Sequence, residues 1–206
     1  MRTLTFLLLA SFPFLASAQA PDGDATSVSF FFAKGRSSLD VESGTGVTFS
    51  SKGLTHLGLR VERRLSPSMM ARASIGRSVR DSEYEESDAS SRARFGMRFL
   101  LTDAQVGIGR RVSEHKLWTL HVLGEVGRSF IQWGRISDPA TRIEFAELET
   151  NPGEWSLIPG AELAVLPSRR LSFGVSYRYG LTDVLQGDRS RSRVLELRSG
   201  FTFLRF

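Results

Sequence analysis

The chain contains eight segments in which polar and apolar residues alternate, and the connections between these segments alternate strictly in length. A period of two places apolar side chains on one face of a β-strand and polar side chains on the other. The connections run long, short, long, short, long, short, long, which suits strands that follow one another as antiparallel neighbours. The sequence therefore predicts an all-β fold, an eight-stranded antiparallel up-and-down barrel.

The connections can be placed from runs of Gly, Ser, Pro and charged residues. Three short turns are predicted at Ser66–Ser68, Ser113–Lys116 and Pro167–Arg169. Four longer loops are predicted at 36–52, 80–90, 132–153 and 183–192, with a short helix at 143–148 inside the third. Membrane-spanning barrels have this rhythm, with short periplasmic turns and longer extracellular loops.

The fourth segment, 91–112, changes parity along its length. Its first apolar residues lie at odd positions and its later ones at even positions, namely Phe95, Met97, Phe99 and Leu101, then Ala104, Val106 and Ile108. A slip of one residue moves side chains to the opposite face of a sheet. We therefore predict a β-bulge or a short break of the strand near Thr102–Asp103.

The strand face opposite the bulky apolar residues indicates which side of the barrel meets lipid. It carries recurrent glycines, such as Gly58, Gly76 and Gly174, among charged residues. A soluble barrel fills its interior with bulky side chains, whereas hydrocarbon accepts Leu, Val, Phe and Trp on the outside. A closed sheet also satisfies its backbone groups within a bilayer. This face favours a membrane barrel; a soluble eight-stranded barrel or a sandwich is the alternative.

The N-terminus has the pattern of a secretory signal peptide. Arg2 supplies a positive charge, an apolar run follows, and Ala16-Ser17-Ala18 resembles a cleavage site. The apolar run is shorter than the ~20 residues of a spanning helix. We predict a signal peptide at 1–18, a short periplasmic leader at 19–25 and a barrel at 26–206.

The final strand, 193–206, alternates and ends on Phe206. With the signal peptide and the strand rhythm, it resembles the small bacterial outer-membrane β-barrel proteins, a group that includes OmpA-like membrane domains, OmpW and opacity-type porins. The resemblance implies an outer-membrane location and recognition of Phe206 by the barrel-assembly machinery. Phe201 and Phe203 have the opposite parity to Leu204 and Phe206. Either a bulge near Leu204 keeps Phe206 toward lipid, which we favour, or Phe206 faces the lumen mouth while Arg205 reaches the interface.

Charged residues on the inward face are predicted to fill the lumen with ion pairs, because an eight-stranded barrel is only wide enough for side chains. Three pairs are expected: Glu62 with Arg72, Glu125 with Arg98, and Glu196 with Arg178. The full predicted network is Arg60, Glu62, Arg72, Arg94, Arg98, His121, Glu125, Glu162, Arg178, Glu196 and Arg198. Interfacial aromatic girdles are predicted from Trp118, Phe130, Trp133, Trp155, Tyr177 and Tyr179.

The amino-acid composition limits which ligands and partners the chain can bind. Without cysteine, disulfides and thiolate metal sites are excluded. The net charge is +5, and +4 once Arg2 is removed. Arginines are scattered singly, which argues against nucleic-acid binding; their guanidinium groups suit an anionic outer leaflet of lipid and lipopolysaccharide. A monomer is favoured.

No catalytic, cofactor or metal motif stands out. His121 and Glu125 lie on one strand face, and His56 could be imagined with Ser50, Ser51 or Asp183, but no spacing singles out a nucleophile. The acidic run Glu83, Glu85, Glu86 and Asp88 is interpreted as solvated loop. We predict no enzyme activity and no cofactor or metal.

Two function classes remain. The first is a structural or binding barrel with a plugged lumen and loops that face the exterior. The alternative is a transporter that passes a small hydrophobic ligand through the barrel wall, as OmpW-type barrels are thought to do; a lipid-modifying enzyme is third. A continuous charge network would favour the first class, and an apolar pocket under the loops the second.

Overall fold

The computed structural model describes residues 26–41, 47–88, 91–138, 143–165, 170–186 and 189–206. The predicted signal peptide, the leader and the Pro167–Arg169 turn lie outside these residues. Within the described ranges, no helix is long and apolar enough to cross a membrane. The strands are β1 Thr26–Val41, β2 Val47–Arg64, β3 Met69–Asp88, β4 Ser91–His115, β5 Trp118–Ser137, β6 Glu144–Glu147, β7 Gly153–Val165, β8 Leu171–Gly180 and β9 Ser190–Arg205.

Eight of these strands close into a ring. The order is β1, β2, β3, β4, β5, β7, β8 and β9, every pair is antiparallel, and β9 pairs with β1. The short β6 pairs only with the far end of β5. The predicted fold class is therefore confirmed. We call the end with the β2–β3 and β4–β5 turns the lower end, and the end with the long hairpins the upper end.

Large apolar side chains cover the outside of the ring. Phe30, Leu57 and Leu197 are 53%, 59% and 64% exposed, and many other large apolar side chains on the outer face are also exposed. Among the described residues, buried polar and charged side chains outnumber buried apolar ones. A soluble monomer rarely exposes a continuous apolar patch of more than a few hundred Å². The barrel is thus apolar outside and polar inside, as a bilayer requires.

At the upper end the strands run well into the regions predicted as loops. β3 continues to Asp88 and β4 begins at Ser91, so most of 80–90 is paired sheet. The helix predicted at 143–148 is wrong, because β6 pairs there with β5. The upper end of β3 carries polar and charged residues on both faces, namely Arg80, Asp81, Ser82 and Glu83. It therefore lacks the alternation of apolar and polar residues by which the lipid-facing part of a strand is recognised.

The bulge predicted near Thr102–Asp103 is also wrong. β4 keeps one parity from Phe95 to Arg111, with Met97, Phe99, Leu101 and Asp103 all buried on the inward face, and its own extra residue is Val112 near the lower end. The register shift between Leu100 and Leu101 arises on the partner strand β5, where Gln132 is the extra residue. The apolar residues at the start of β4 therefore line the barrel mouth and do not face lipid.

The last strand contains the bulge that was predicted there. Val28 pairs with Leu204 and Ser29 with Thr202, which leaves Phe203 as the extra residue. Beyond this point Leu204 and Phe206 are 51% and 69% exposed on the outer face. The one-residue insertion returns the terminal aromatic to the apolar exterior.

Candidate functional site

The barrel interior contains most of the buried charged side chains among the described residues. Its side chains form three clusters of charged residues stacked along the axis, with an apolar group above them. From the lower end we name the lower cluster (Arg60, Glu62, Arg72, Glu162), the middle cluster (Gln105, Glu125, Glu196, Arg198), the upper cluster (Arg80, Asp103, Glu154, Arg178) and the cap (Leu39, Met97, Phe99, Leu101, Val184).

In the lower cluster two arginines share two glutamates. Arg72 donates from Nε to Glu62 Oε1 at 2.7 Å and from Nη2 to Glu162 Oε1 at 2.9 Å. Arg60 donates to the other oxygen of Glu162 and to Ser172 Oγ, the latter at 3.0 Å. Four strands, β2, β3, β7 and β8, are tied together here. Every charge in this cluster has an opposite charge beside it.

Arg198 organises the middle cluster. Its guanidinium group donates to Glu196 at 2.8 Å, to Glu125 at 3.2 Å and to Gln105 at 3.1 Å. Gly107 of β4 faces Glu125 of β5, and a Cβ at Gly107 would lie 2.6 Å from the Glu125 Cα. The glycine on this face therefore makes room for the charged side chain beside it.

The upper cluster centres on the fully buried Asp103. One carboxylate oxygen accepts from Arg80 at 2.8 Å, from Arg178 at 2.9 Å and from Ser129; the other accepts from Ser78 at 2.5 Å. Asp103 thus compensates two buried guanidinium groups. A buried charge without a partner is strongly destabilising, so this carboxylate holds β3, β4, β5 and β8 together.

His56 joins the middle and upper clusters. It is completely buried, with Nδ1 3.5 Å from Glu196 Oε1 and Nε2 3.7 Å from Asp103 Oδ2. Phe31 packs edge-on against its ring, with 4.8 Å between centroids. Arg178 also approaches Glu196 at 3.8 Å. Ion pairs therefore connect Glu125 to Glu154 without interruption, through Arg198, Glu196, Arg178, Asp103 and Arg80.

Above the charges, the cap closes the mouth. Its five buried residues come from β1, β4 and the β8–β9 connection, and Tyr84, Ile131, Leu148 and Leu185 pack against it. The connecting segments are fixed over the mouth, because Asn151 donates from Nδ2 to the carbonyls of Asp183 and Leu185 at 3.0 Å each. A cavity of about 20 Å³ lies among Leu39, Phe99, Leu101 and Val184. A larger cleft of about 400 Å³ lies beside Met97 and is lined mainly by polar and charged residues such as Asp81 and Arg98.

Two arginines predicted in the lumen lie on the outside. The side chain of Arg94 is 63% exposed and pairs with Glu85, and that of Arg98 is 47% exposed and pairs with Asp81. The parity change assumed in β4 caused this error, since it placed even-numbered residues inside. The expected Glu125–Arg98 pair is therefore wrong, and Arg198 holds Glu125 instead.

The remaining predicted lumen residues lie inside, among them the Glu62–Arg72 and Glu196–Arg178 contacts. His121 lines a cavity at the lower end. The predicted lumen network did not include His56, Arg80, Asp103 and Glu154. Arg80 shares the parity of Arg72, and Glu154 that of Glu162. That signal was present, but Arg80 had been assigned to a loop and Asp103 to a strand break.

The predicted girdle aromatics lie on the outer face, and several stack with arginine. The Arg128 guanidinium lies 5.2 Å from the Phe130 ring and 5.0 Å from the Trp155 ring. Arg135 lies over Trp133 at 4.8 Å and Arg193 over Tyr179 at 4.4 Å; Tyr177 is 39% exposed. At the lower end, Trp118 stacks on His115.

None of the imagined catalytic partners meets His56. Ser50 and Ser51 are exposed, and Ser50 donates to Glu83 at 3.4 Å. Above the apolar band, Lys52 donates a hydrogen bond to Glu83 at 2.7 Å, which holds the pKa of that carboxyl below its usual value. The side chains of Glu86 and Asp88 are outside the described residues. No group of metal-ligating side chains occurs among those that are described.

Comparison with known proteins supports the fold. No family model matches the chain, and no curated protein does. The solved structure of the outer membrane protein OprG from Pseudomonas aeruginosa matches 88% of this chain and 97% of its own length, with 10% identity and a TM-score of 0.57. Ail, the attachment invasion locus protein of Yersinia pestis, matches 88% of this chain and 99% of its own, with 15% identity and a TM-score of 0.48.

Proposed function

We propose that this chain, which has the fold of the small eight-stranded outer-membrane β-barrels, is a non-enzymatic barrel of the bacterial outer membrane with a structural and binding role. The predicted cleavage of residues 1–18 belongs to this proposal. Its lumen is closed, and its upper hairpins face the cell exterior. The observation that carries the proposal is the interior, which is filled by ion pairs and sealed by the cap.

A solute would have to break buried ion pairs to pass. Arg178 and Glu154 are 0% exposed, and Asp103 is 1% exposed, so water has no free path through the upper cluster. Separating buried charges that have no other partner is costly. The lumen therefore acts as a framework that fixes the barrel, and recognition is left to the outer surface and the hairpins.

Electrical recording tests the closed lumen. The full chain, refolded and inserted into planar lipid bilayers, is expected to give no discrete conductance steps under an applied voltage. A general porin in the same bilayers serves as the positive control. Insertion should be verified separately by the shift in apparent mass between boiled and unboiled samples on SDS gels. Regular conductance steps from verified, inserted protein would contradict the proposal.

The upper edge of the apolar band suits an anionic outer leaflet that contains lipopolysaccharide. Arg77 pairs with Thr102, which in turn pairs with Phe130 beside Arg128, so both arginines lie at the level of the aromatic girdle. Each forked guanidinium group can bind a lipid phosphate with two hydrogen bonds.

At the other end of the barrel, the exposed Leu204 and Phe206 support recognition of the last strand by the barrel-assembly machinery.

This lipid contact can be measured. Transfer from zwitterionic vesicles to vesicles with lipopolysaccharide is expected to stabilise the protein against urea, and Arg77→Gln with Arg128→Gln to remove about 1 kcal/mol per arginine of that gain. Arg94→Gln is the control, because Arg94 lies above the band and pairs with Glu85. Equal gains for the double variant and the control would exclude a specific role for this belt.

The alternative, a transporter for a small hydrophobic ligand, requires an opening in the barrel wall. Pairing between β7 and β8 is interrupted at Ile158 and Pro159, where proline offers no N–H. Behind this interruption, however, Ile158 and Arg178 are 1% and 0% exposed. The gap in the wall therefore opens onto packed side chains, which supports the binding barrel over the transporter.

A further inference from the structure

A cavity of about 310 Å³ opens at the lower end of the barrel. The lower cluster forms its roof, since Arg60, Glu62 and Glu162 line it, and the Ser66–Ser68 turn lies at its rim. Above this roof the lumen is filled by the middle and upper clusters. The cavity is therefore a blind vestibule that can be reached only from the lower side.

The walls of the vestibule are cationic. Four arginines line it, against two carboxylates, and the arginines are Arg60, Arg64, Arg111 and Arg205. Both carboxylates, Glu62 and Glu162, already accept hydrogen bonds from Arg60 or Arg72 in the roof. Glu114 pairs with Arg111 from outside the lining. Even with that pair, positive charge remains in excess around the opening.

Three residues that line the vestibule have a buried side-chain atom without a hydrogen-bond partner. Thr119 is 2% exposed, and its Oγ1 has none; nor do His121 Nδ1 and Arg60 Nε, although Arg60 Nε lies 3.5 Å from Glu62 Oε1. Buried polar groups are nearly always satisfied by protein, water or an ion. All three groups can donate a hydrogen bond, so an oxygen acceptor that enters this end of the barrel would find donors on β2 and β5.

We propose that this vestibule binds a small oxyanion, a phosphate group in particular. Thr119, His121 and Arg60 would donate to its oxygens from the roof and wall, and Arg64 and Arg111 would attract it at the rim. Arginine suits this chemistry because its planar fork bonds two phosphate oxygens at once. The phosphate could come from free phosphate in the periplasm or from the headgroup of an inner-leaflet lipid. This site goes beyond the proposed role of the outer surface.

Calorimetric titration of the full chain tests this site. Inorganic phosphate is titrated into protein in zwitterionic nanodiscs, and nanodiscs with and without phosphatidic acid are compared for their effect on unfolding. Saturable binding of phosphate identifies a soluble ligand; stabilisation by phosphatidic acid alone identifies a headgroup. Thr119→Val should weaken the response about tenfold, as expected for loss of a hydrogen bond to a charged group. Arg64→Gln should weaken it severalfold, because it removes a positive charge at the rim.

Arg94→Gln, at the opposite end of the barrel, is the matched control and should bind as the unaltered protein does. Because Thr119 is buried, folding of its variant is checked by the gel shift on boiling, and the exposed Arg64 variant provides an independent result. If neither phosphate nor phosphatidic acid has an effect on the unaltered protein, the proposal is overturned. Equal responses from Arg64→Gln and Arg94→Gln would also overturn it.

Discussion

Replacing Asp103 with asparagine is expected to lower the free energy of unfolding by about 3–5 kcal/mol. Asp103 is 1% exposed and pairs with both Arg80 and Arg178. Without its charge, two buried guanidinium groups lose their shared counter-charge in an interior that water does not reach. Urea-unfolding titrations of the refolded protein in lipid vesicles, followed by tryptophan fluorescence, measure the change.

Asp81→Asn is the matched control for that substitution. Asp81 also pairs with an arginine, Arg98 at 2.8 Å, but their side chains are 33% and 47% exposed. An exposed ion pair contributes about 0–1 kcal/mol, so this variant should unfold almost as the unaltered protein does. Equal losses from the two substitutions would show that Asp103 is not the centre of the interior.

The second large effect is expected from adding one methyl group at Gly58. Gly58 of β2 faces Gly76 of β3, and a Cβ at Gly58 would lie 2.7 Å from the Gly76 Cα and 2.7 Å from the Phe31 ring. Backbone atoms cannot give way as a flexible side chain can, so Gly58→Ala should cost about 3 kcal/mol or more. The fraction that keeps its compact gel mobility without boiling, together with urea unfolding, reports this loss.

Gly124→Ala provides the comparison. Gly124 faces outward, and a Cβ there would meet nothing within 4 Å. Reduced freedom of the unfolded chain should make this variant neutral or slightly more stable. If both alanine variants behaved alike, the close approach of β2 and β3 at Gly58 would not limit folding.

The architecture was predictable because lipid imposes one rule on every strand. Each strand must alternate over the ~10 residues that cross the hydrocarbon, and the order of long and short connections follows from closing the ring. The terminal bulge was predictable for the same reason, since Leu204 and Phe206 had to rejoin the apolar exterior.

The interior was harder to predict because its ion pairs join residues on different strands. Charge on the inward face indicates that ion pairs are needed, but the partner of Glu125 depends on the stagger of strands that are far apart in sequence. Arg98 and Arg198 were equally plausible partners by parity. The cap could not be read from β4 either, because Phe99 and Leu101 are buried by Val184, which comes from a separate connection.

The long upper hairpins separate the surface that contacts lipid from the tips of the hairpins. β3 and β4 contain 20 and 25 residues, whereas a bilayer needs only ~9–11 per strand. About ten residues of each, at ~3.3 Å per residue and a tilt of ~45°, carry the hairpin roughly 20 Å clear of the lipid. The sheet thus serves as a rigid spacer. Its tip can change in sequence without disturbing either the bilayer contact or the charges that hold the barrel together.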